Sequence, residues 1–534
     1  MRESRYILIL LAVTLFLFFF QLGDMALTDP DETFYAQTAK EMLNEGEWIT
    51  PTIFGKPQFE KPVFYYLLIV VSYIIFGVGE FAARFPSAVF GVFGILGVYL
   101  LGRLLFTPLC GFLSGLVLAT CTQYLILARG CVTDMVLTVF ILYCLLLFLM
   151  GWTRKRRVYY YIASVMAAFA VLTKGPIGLF IPGLVVFLYI LFSRQWRELR
   201  QVPVLRCILI FLGISLPWYL VVNHMHGTSF VNEFFGFHNV TRFLVPEHRI
   251  GTSPLFYVPV ILGGFFPWSV FLLFGAWDIW KRPALIGQTS EVRGCNLFLL
   301  VWFLVVFLFF SASSTKLVTY IFPLFPVLAI VTGRFWERFV SEARAEEGAS
   351  RVSYYIFAAL SLMAAVAAII LARHEYAGTP AVLGAALSAA IYLLGVIVSL
   401  FFLAKNRKFA SFYAIVIAIL VGVFPVARFV LPVVEVYESS KVLSDKVKEL
   451  ARPSDLVGGE SDHRRGVAFY TDRTDVTDIH PHGALRDFIS RPEKVWGIIQ
   501  RKHYRQVKED MGDKVSNPVA WSGKYVLITN KGNK

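Results

Sequence analysis

The chemistry-bearing residues of this 534-residue chain gather in a few polar stretches between long apolar ones. The longest polar stretch runs from Asp29 to Lys61, DPDETFYAQTAKEMLNEGEWITPTIFGKPQFEK. It opens with the adjacent carboxylates Asp31 and Glu32 and closes on Glu60 and Lys61. A carboxylate within reach of a hydroxyl can take its proton, and a cation can stabilise a departing anion. Four further stretches add to the set. ARGCVTD supplies Arg129 and Asp134, TKGP supplies Lys174, and SASSTKLVTY supplies Lys316 and Tyr320. Residues 223–253, NHMHGTSFVNEFFGFHNVTRFLVPEHRIGTS, hold Glu233, His238, Arg242, Glu247 and Arg249. Taken singly, each has a plainer reading. Asp31 and Glu32 could be a favourable helix start and Asp134 a helix cap. Glu60 and Lys61 could be a surface ion pair worth under about 1 kcal/mol. Lys174 and Lys316 could be snorkelling anchors. Their common location decides against reading them singly.

That location follows from the elements around them. The chain is 57% hydrophobic and 16% charged, with 50 Phe and 11 Trp, whereas soluble domains are about 25% charged. It reads as a polytopic membrane protein. The net charge of +14 does not point to nucleic acid, because Lys and Arg cluster in short runs between apolar segments. The six cysteines lie in or beside apolar stretches and form no CxxC pair, which argues against a disulfide framework or a zinc ribbon. The apolar run at 6–20 is followed by no small-residue cleavage site and reads as an uncleaved first helix.

Runs of spanning length occur near 6–22, 85–104, 109–127, 132–150, 158–173, 176–192, 205–222, 254–279, 296–312, 317–333, 353–372, 381–403 and 408–430. The run 62–78 looks as good by hydropathy, and charge excludes it. Positive clusters mark the cytoplasmic side: Arg2 and Arg5, Arg154 to Arg157, Arg194 to Arg200, Lys281 and Arg282, Arg334 to Arg344, and Lys405 to Lys408. Counting back from the TRKRR run and forward from the N-terminus puts both ends of 62–78 outside. That segment therefore lies along the outer interface or dips in and returns. The expectation is thirteen spans over 1–430, with outer loops 23–84 and 223–253, the N-terminus inside and the C-terminus outside. All five polar stretches then fall on one face, where ionisable groups at span ends usually have a function. After about 431 the composition turns polar. Residues 431–534 read as a soluble α/β domain, with strand patterns at 494–499 and 524–529 around a helix at 500–511 and no visible chemistry.

The motifs PDETFYAQTAKEMLNEGEWITPTIFGKPQFEKP, GEFAARFPSAVFG, ARGCVTDMVLTVF, VLTKGPIGLFIPG, FFGFHNVTRFL with GGFFPW, and TKLVTYIFPLFP follow one another over about residues 1–330. Together they resemble the polyprenyl-phosphate-sugar glycosyltransferases of the GT-C fold, a group that includes aminoarabinose transferases of lipid A and protein O-mannosyltransferases. The resemblance implies an all-α polytopic membrane protein with a small C-terminal α/β periplasmic domain, in a bacterial inner membrane. It implies transfer of a sugar from a polyprenyl-phosphate donor to a glycolipid or protein acceptor. It makes Asp31 the catalytic acid of the first loop and Asp134 the acid of the second. It places Lys61 on the lipid phosphate, Arg242 in the phosphate-binding segment, and Glu60 and His238 at a divalent metal site. Glu32, Tyr35, Arg129, Lys174, Lys316 and Tyr320 complete the substrate-binding candidates on that face. One departure stands out: aminoarabinose transferases typically read DEGRYA where this chain reads DETFYA, so Phe34 replaces an arginine. Either another cation substitutes, with Lys316 and Arg242 as candidates, or the donor differs. A transporter or flippase would instead place its charges near span centres, in repeated halves. A scaffold with a sensor domain would explain the tail but not the outer loops.

Overall fold

A computed structural model describes residues 2–241, 253–281, 294–341, 347–461, 463–480, 482–512 and 515–530. Helices occupy all thirteen positions expected for spans. They are α1 (Arg2–Phe19), α4 (Glu80–Leu105), the pair α5 (Pro108–Ala119) and α6 (Thr122–Ala128), α7 (Thr133–Arg154), α8 (Arg157–Lys174), α9 (Ile177–Ser193) and α10 (Val204–His226). Then come the pair α11 (Tyr257–Gly264) and α12 (Ser269–Lys281), α13 (Cys295–Ala312), α14 (Phe325–Ser341), α15 (Glu347–Glu375), α16 (Pro380–Ala404) and α17 (Lys408–Pro425). Among the described residues, seven helices are by themselves long and apolar enough to cross a membrane, or nine if each bent pair is one span. The pairs bend by 71° and 111°. The other four, α1, α8, α9 and α14, are shorter or more polar.

Between α1 and α4 lies the feature that builds the site. Helix α2 (Asp31–Glu45) carries acids in its first turn and stops at Gly46. Gly46 adopts a φ of 68° and donates its amide to the Met42 carbonyl, a left-handed cap that glycine accepts without strain. A short hairpin of β1 (Thr52–Ile53) and β2 (Lys56–Pro57) follows, then α3 (Phe64–Phe76). With 13 residues, α3 is about 20 Å long at 1.5 Å per residue, too short to cross. That length agrees with 62–78 not being a span. Helix α3 acts as a platform under α2: the Tyr73 hydroxyl donates to the Ala36 carbonyl, and the Tyr65 and Ser87 hydroxyls lie 2.9 Å apart.

The last of the apolar helices, α17, runs on through α18 (Leu431–Glu438), and the C-terminal α/β unit follows from Ser439. It contains α19 (Lys441–Leu450), β3 (Leu456–Gly459), α20 (Arg464–Thr471), β4 (Thr477–Asp478), α21 (His482–Ile489), β5 (Val495–Gln500), α22 (Arg501–Met511), β6 (Ala520–Ser522) and β7 (Tyr525–Thr529). The sheet order is β4-β3-β5-β7-β6. Strands β4, β3 and β5 are parallel; β7 is antiparallel to both β5 and β6. The two-residue alternation of a strand divides its side chains between two cores. Val526 and Ile528 pack with Leu485, Phe488 and Val507 on one face, and Tyr525 and Leu527 pack with Leu443, Val447 and Val467 on the other.

That second layer docks on α2. The Lys40 ammonium donates to the Phe469 carbonyl at 2.7 Å and pairs with Asp472 at 2.5 Å. The Leu27 amide donates to the Tyr470 hydroxyl, and Lys441 pairs with Glu80 at 2.7 Å. Asp29 accepts from the Ser440 amide and lies 3.3 Å from His463 Nδ1. Helix α2 is thus covered on both sides, which explains why so polar a helix buries every residue from Glu32 to Met42.

Candidate active site

Six of the sequence candidates line one cavity of about 510 Å³: Glu60, Lys61, Asp134, Lys174, His238 and Tyr320. The Lys174 ammonium lies 2.6 Å from Asp134 Oδ1 and 5.0 Å from the centre of the Tyr320 ring. The Lys61 ammonium lies 3.2 Å from Glu60 Oε1. The rest of the lining is mostly apolar, with Phe180, Phe234, Phe235, Phe309 and Phe310 prominent. One cavity therefore joins a charged floor to an aromatic flank. Lys316 is buried beside it and donates to the Ser313 carbonyl at 2.6 Å.

The floor is held from beneath. Gln58 accepts from the Glu60 amide at 3.0 Å and donates to the Tyr66 hydroxyl of α3 at 2.8 Å. Tyr35 is buried in the same cluster, edge-on to Tyr65, with its hydroxyl 3.4 Å from that of Thr133.

Asp31 stands at the exposed start of α2. Water reaches its outer side, while the protein behind it removes bulk solvent from the other. This partial desolvation, then the negative charges of Asp134 and Glu60, raise its carboxyl above the usual 3.8, and Arg465 opposes the rise. Asp31 does not line the cavity, but the two carboxylates that act on it do. Asp31 thus feels two acids of the cavity lining and one cation of the C-terminal domain.

Two candidates are committed to the protein itself. Glu32 receives both Nε and Nη2 of Arg84, at 2.8 and 2.7 Å, the amides of Thr28 and Cys131, and the Thr28 hydroxyl. Burial alone would raise its carboxyl; the Arg84 guanidinium and the two amides hold it below the ordinary value. Arg84 also donates to the carbonyls of Leu22, Met25 and Ala26. Arg129 donates to the carbonyls of Leu17, Phe20 and Gln21, capping the end of α1. Through these contacts Glu32 and Arg129, both expected to bind substrate, fasten the outer loop to the bundle and have few donors or acceptors left for a ligand. Arg242, Glu247 and Arg249 lie outside the described residues.

The expected metal pair, Glu60 and His238, lines the same cavity. However, His238 Nε2 lies 3.9 Å from Glu233, and the Glu60 carboxylate faces the Lys61 ammonium. No three His, Cys, Asp or Glu residues cluster among the described residues.

Arg84 and Arg465 were missed in the sequence. A lone arginine near the start of an apolar run signals a buried partner, so Arg84 was findable. Arg465 sits in a polar tail segment with no local sign of its destination.

The fold and this cavity define a GT-C membrane protein whose polar site opens at one end of the spans. A pattern described as dolichyl-phosphate-mannose-protein mannosyltransferase matches residues 60–220. A protein of Aquifex aeolicus (strain VF5) is 34% identical over 334 residues, covering 62% of this chain and 64% of its own length. The undecaprenyl phosphate-alpha-4-amino-4-deoxy-L-arabinose arabinosyl transferase of Enterobacter sp. (strain 638) is 31% identical over 350 residues, 64% of this chain and 62% of that one. The matches thus span a little under two thirds of the length of these relatives. A crystal structure of ArnT from Cupriavidus metallidurans bound to undecaprenyl phosphate superposes with a TM-score of 0.82 at 24% identity, covering 99% of this chain and 98% of that one. The chain has the GT-C fold of the polyprenyl-phosphate-sugar glycosyltransferases, as its first-loop motifs suggested.

Proposed function

We propose that the protein is an integral membrane glycosyltransferase that moves a sugar from a polyprenyl-phosphate donor to an acceptor hydroxyl. The acceptor class is a glycolipid such as lipid A, with a protein side chain as the other candidate. The observation that carries this reading is the cavity itself, whose charged end holds Lys61 and Lys174 and whose flank is aromatic. A lipid-linked donor has the same two-part character, a phosphate joined to an apolar chain.

In this reading the lipid enters along the Phe180, Phe309 and Phe310 side. Lys61 and Lys174 stabilise the phosphate as it leaves, and fixed cations in a partly dry cavity do this better than water. Asp31 takes the proton of the attacking hydroxyl, and its raised pKa makes it a stronger base than an ordinary aspartate. Attack on the face opposite the leaving phosphate inverts the anomeric centre. Asp134 keeps Lys174 pointed into the site through their 2.6 Å contact. The protein works in the bacterial inner membrane, with its N-terminus cytoplasmic and its C-terminal domain periplasmic. The charge pattern supports this orientation.

The test is to incubate purified protein with radiolabelled polyprenyl-phosphate sugars and cell envelopes. Label appearing in one glycolipid or protein fraction supports transfer and identifies the acceptor. Transfer from none of the lipid-linked sugars sinks the proposal. Asp31→Asn should lower the rate by about 10²-fold or more with normal folding; a near-normal rate would remove Asp31 as the base.

A further inference from the structure

Arg465 lies in the first turn of α20, half-buried, with its guanidinium 4.5 Å from the centre of the Phe34 ring on α2. Its neighbours at the domain interface are already engaged. Arg464 donates to the Val476 carbonyl at 2.7 Å and stacks 3.6 Å from the Phe54 ring. Lys40 is held by Phe469 and Asp472. Among the described residues, no hydrogen-bond or ion-pair partner takes the Arg465 guanidinium. It acts electrostatically on Asp31 and on Tyr66, and Asp31 also feels Asp134 and Glu60.

The position is held firmly. The next residue, Gly466, packs so closely on α2's leading segment that an added Cβ would sit 2.4 Å from Asp29 Oδ1 and 2.2 Å from Ser440 Oγ. Asp29 is itself fixed by the Ser440 amide and faces His463. Tyr470 and Lys40 fasten the far end of the helix. A soluble domain tied down this way delivers Arg465 to one place beside the catalytic loop.

We infer that the C-terminal domain completes the active site, with Arg465 as the cation that binds an anionic phosphoryl group beside Asp31. A guanidinium presents a planar fork of donors that matches phosphate oxygens. The Phe34 ring, 4.5 Å away, supports the guanidinium through a cation–π contact. The inference deepens the transferase reading and rests on it for the identity of the phosphate. That phosphate belongs either to the donor lipid or to a phosphorylated glycolipid acceptor, and the two sources make different kinetic predictions.

The experiment uses the full-length protein in detergent, with undecaprenyl phosphate as the binding probe and kinetics in both substrates. The variants are Arg465→Ala, Arg465→Lys, and Arg465→Ala combined with Phe34→Arg, which restores a cation from the α2 side. Removing a charge-assisted hydrogen bond to a phosphate weakens binding by roughly 10-fold or more. If the donor phosphate is bound, Arg465→Ala weakens undecaprenyl phosphate binding and raises the donor KM by that factor. The lysine variant and the Phe34→Arg combination then regain part of the loss. If the acceptor phosphate is bound, the acceptor KM rises instead and undecaprenyl phosphate affinity is unchanged. Either pattern, with an unaltered melting temperature, supports Arg465 as a phosphate-binding residue. Unchanged affinity together with unchanged KM for both substrates overturns it. Undecaprenyl phosphate binding that depends on Arg465, without any sugar transfer by the wild type, would keep this site while removing the transferase reading.

Discussion

Asp31 and Glu32 are adjacent acids with opposite electrostatic fates. Glu32 is 6% exposed and its carboxyl is held low by Arg84. Breaking such a buried pair costs about 3–5 kcal/mol, because the partner charge is left stranded. Glu32→Gln should therefore lower the melting temperature of the purified protein markedly, whereas Asp31→Asn should leave it nearly unchanged. The sign with pH follows from the direction of each shift. The folded pKa of Glu32 lies below its unfolded value, so its contribution is full above about 4.5 and is lost as pH falls through the folded value. The folded pKa of Asp31 lies above 3.8, so transfer that needs its carboxylate declines on acidification at a midpoint above that value. Arg465 holds the Asp31 pKa down, so Arg465→Ala should move this acid limb to higher pH. A limb that stays put would place the titrating base elsewhere.

Helix α2 is where long-range packing decides most. Gly466→Ala should push α20 off Asp29, and the loss should appear as reduced transfer while the C-terminal sheet stays folded. Limited proteolysis near Ser439 reads the loosened junction, and circular dichroism reads the sheet. Equal activity and equal protection would show that domain docking is not needed for catalysis. The sequence reveals unequal parts of this arrangement. Helix α3 is legible as non-spanning because charge parity is a property of the whole chain, and the observed 13 residues agree. Strands β5 and β7 are legible because their apolar runs stand out from a polar tail. Strands β3, β4 and β6 are two to four residues long and leave almost no pattern. At the site, Glu60, Lys61, Asp134 and Lys174 are legible because acids and cations at span ends need a reason to be there. Glu32 and Arg129 carry the same signal, and only their partners reveal a fastening role. Arg465 is illegible for the opposite reason: it looks like any surface arginine until the domain docks more than 400 residues from α2 in sequence.

At the scale of the whole molecule, four contacts tie loops to sides. The Arg103–Glu3 pair at 2.9 Å places the α4–α5 turn beside the N-terminus. Charge alone marks that turn weakly, since Arg103 is its nearest cation. Arg334 stacks on Phe106 at 5.0 Å and brings the positive end of α14 to the same side. The Lys441–Glu80 and Lys40–Asp472 pairs place the C-terminal domain with loop 23–84, at the opposite end of the spans. Clustered cations mark the cytoplasmic side, so the cavity, α2 and the soluble domain should all face outward. Single cysteines at Lys56, Lys446 and Arg156, all exposed, test this with a membrane-impermeant maleimide. The native cysteines are buried or half-buried, which keeps the background low. Lys56→Cys and Lys446→Cys should label in intact cells, and Arg156→Cys only after permeabilisation. Labelling of Arg156→Cys alone in intact cells would invert the molecule and put the site in the cytoplasm. Different sidedness for Lys56→Cys and Lys446→Cys would separate the domain from α2, and with it Arg465 from the catalytic loop.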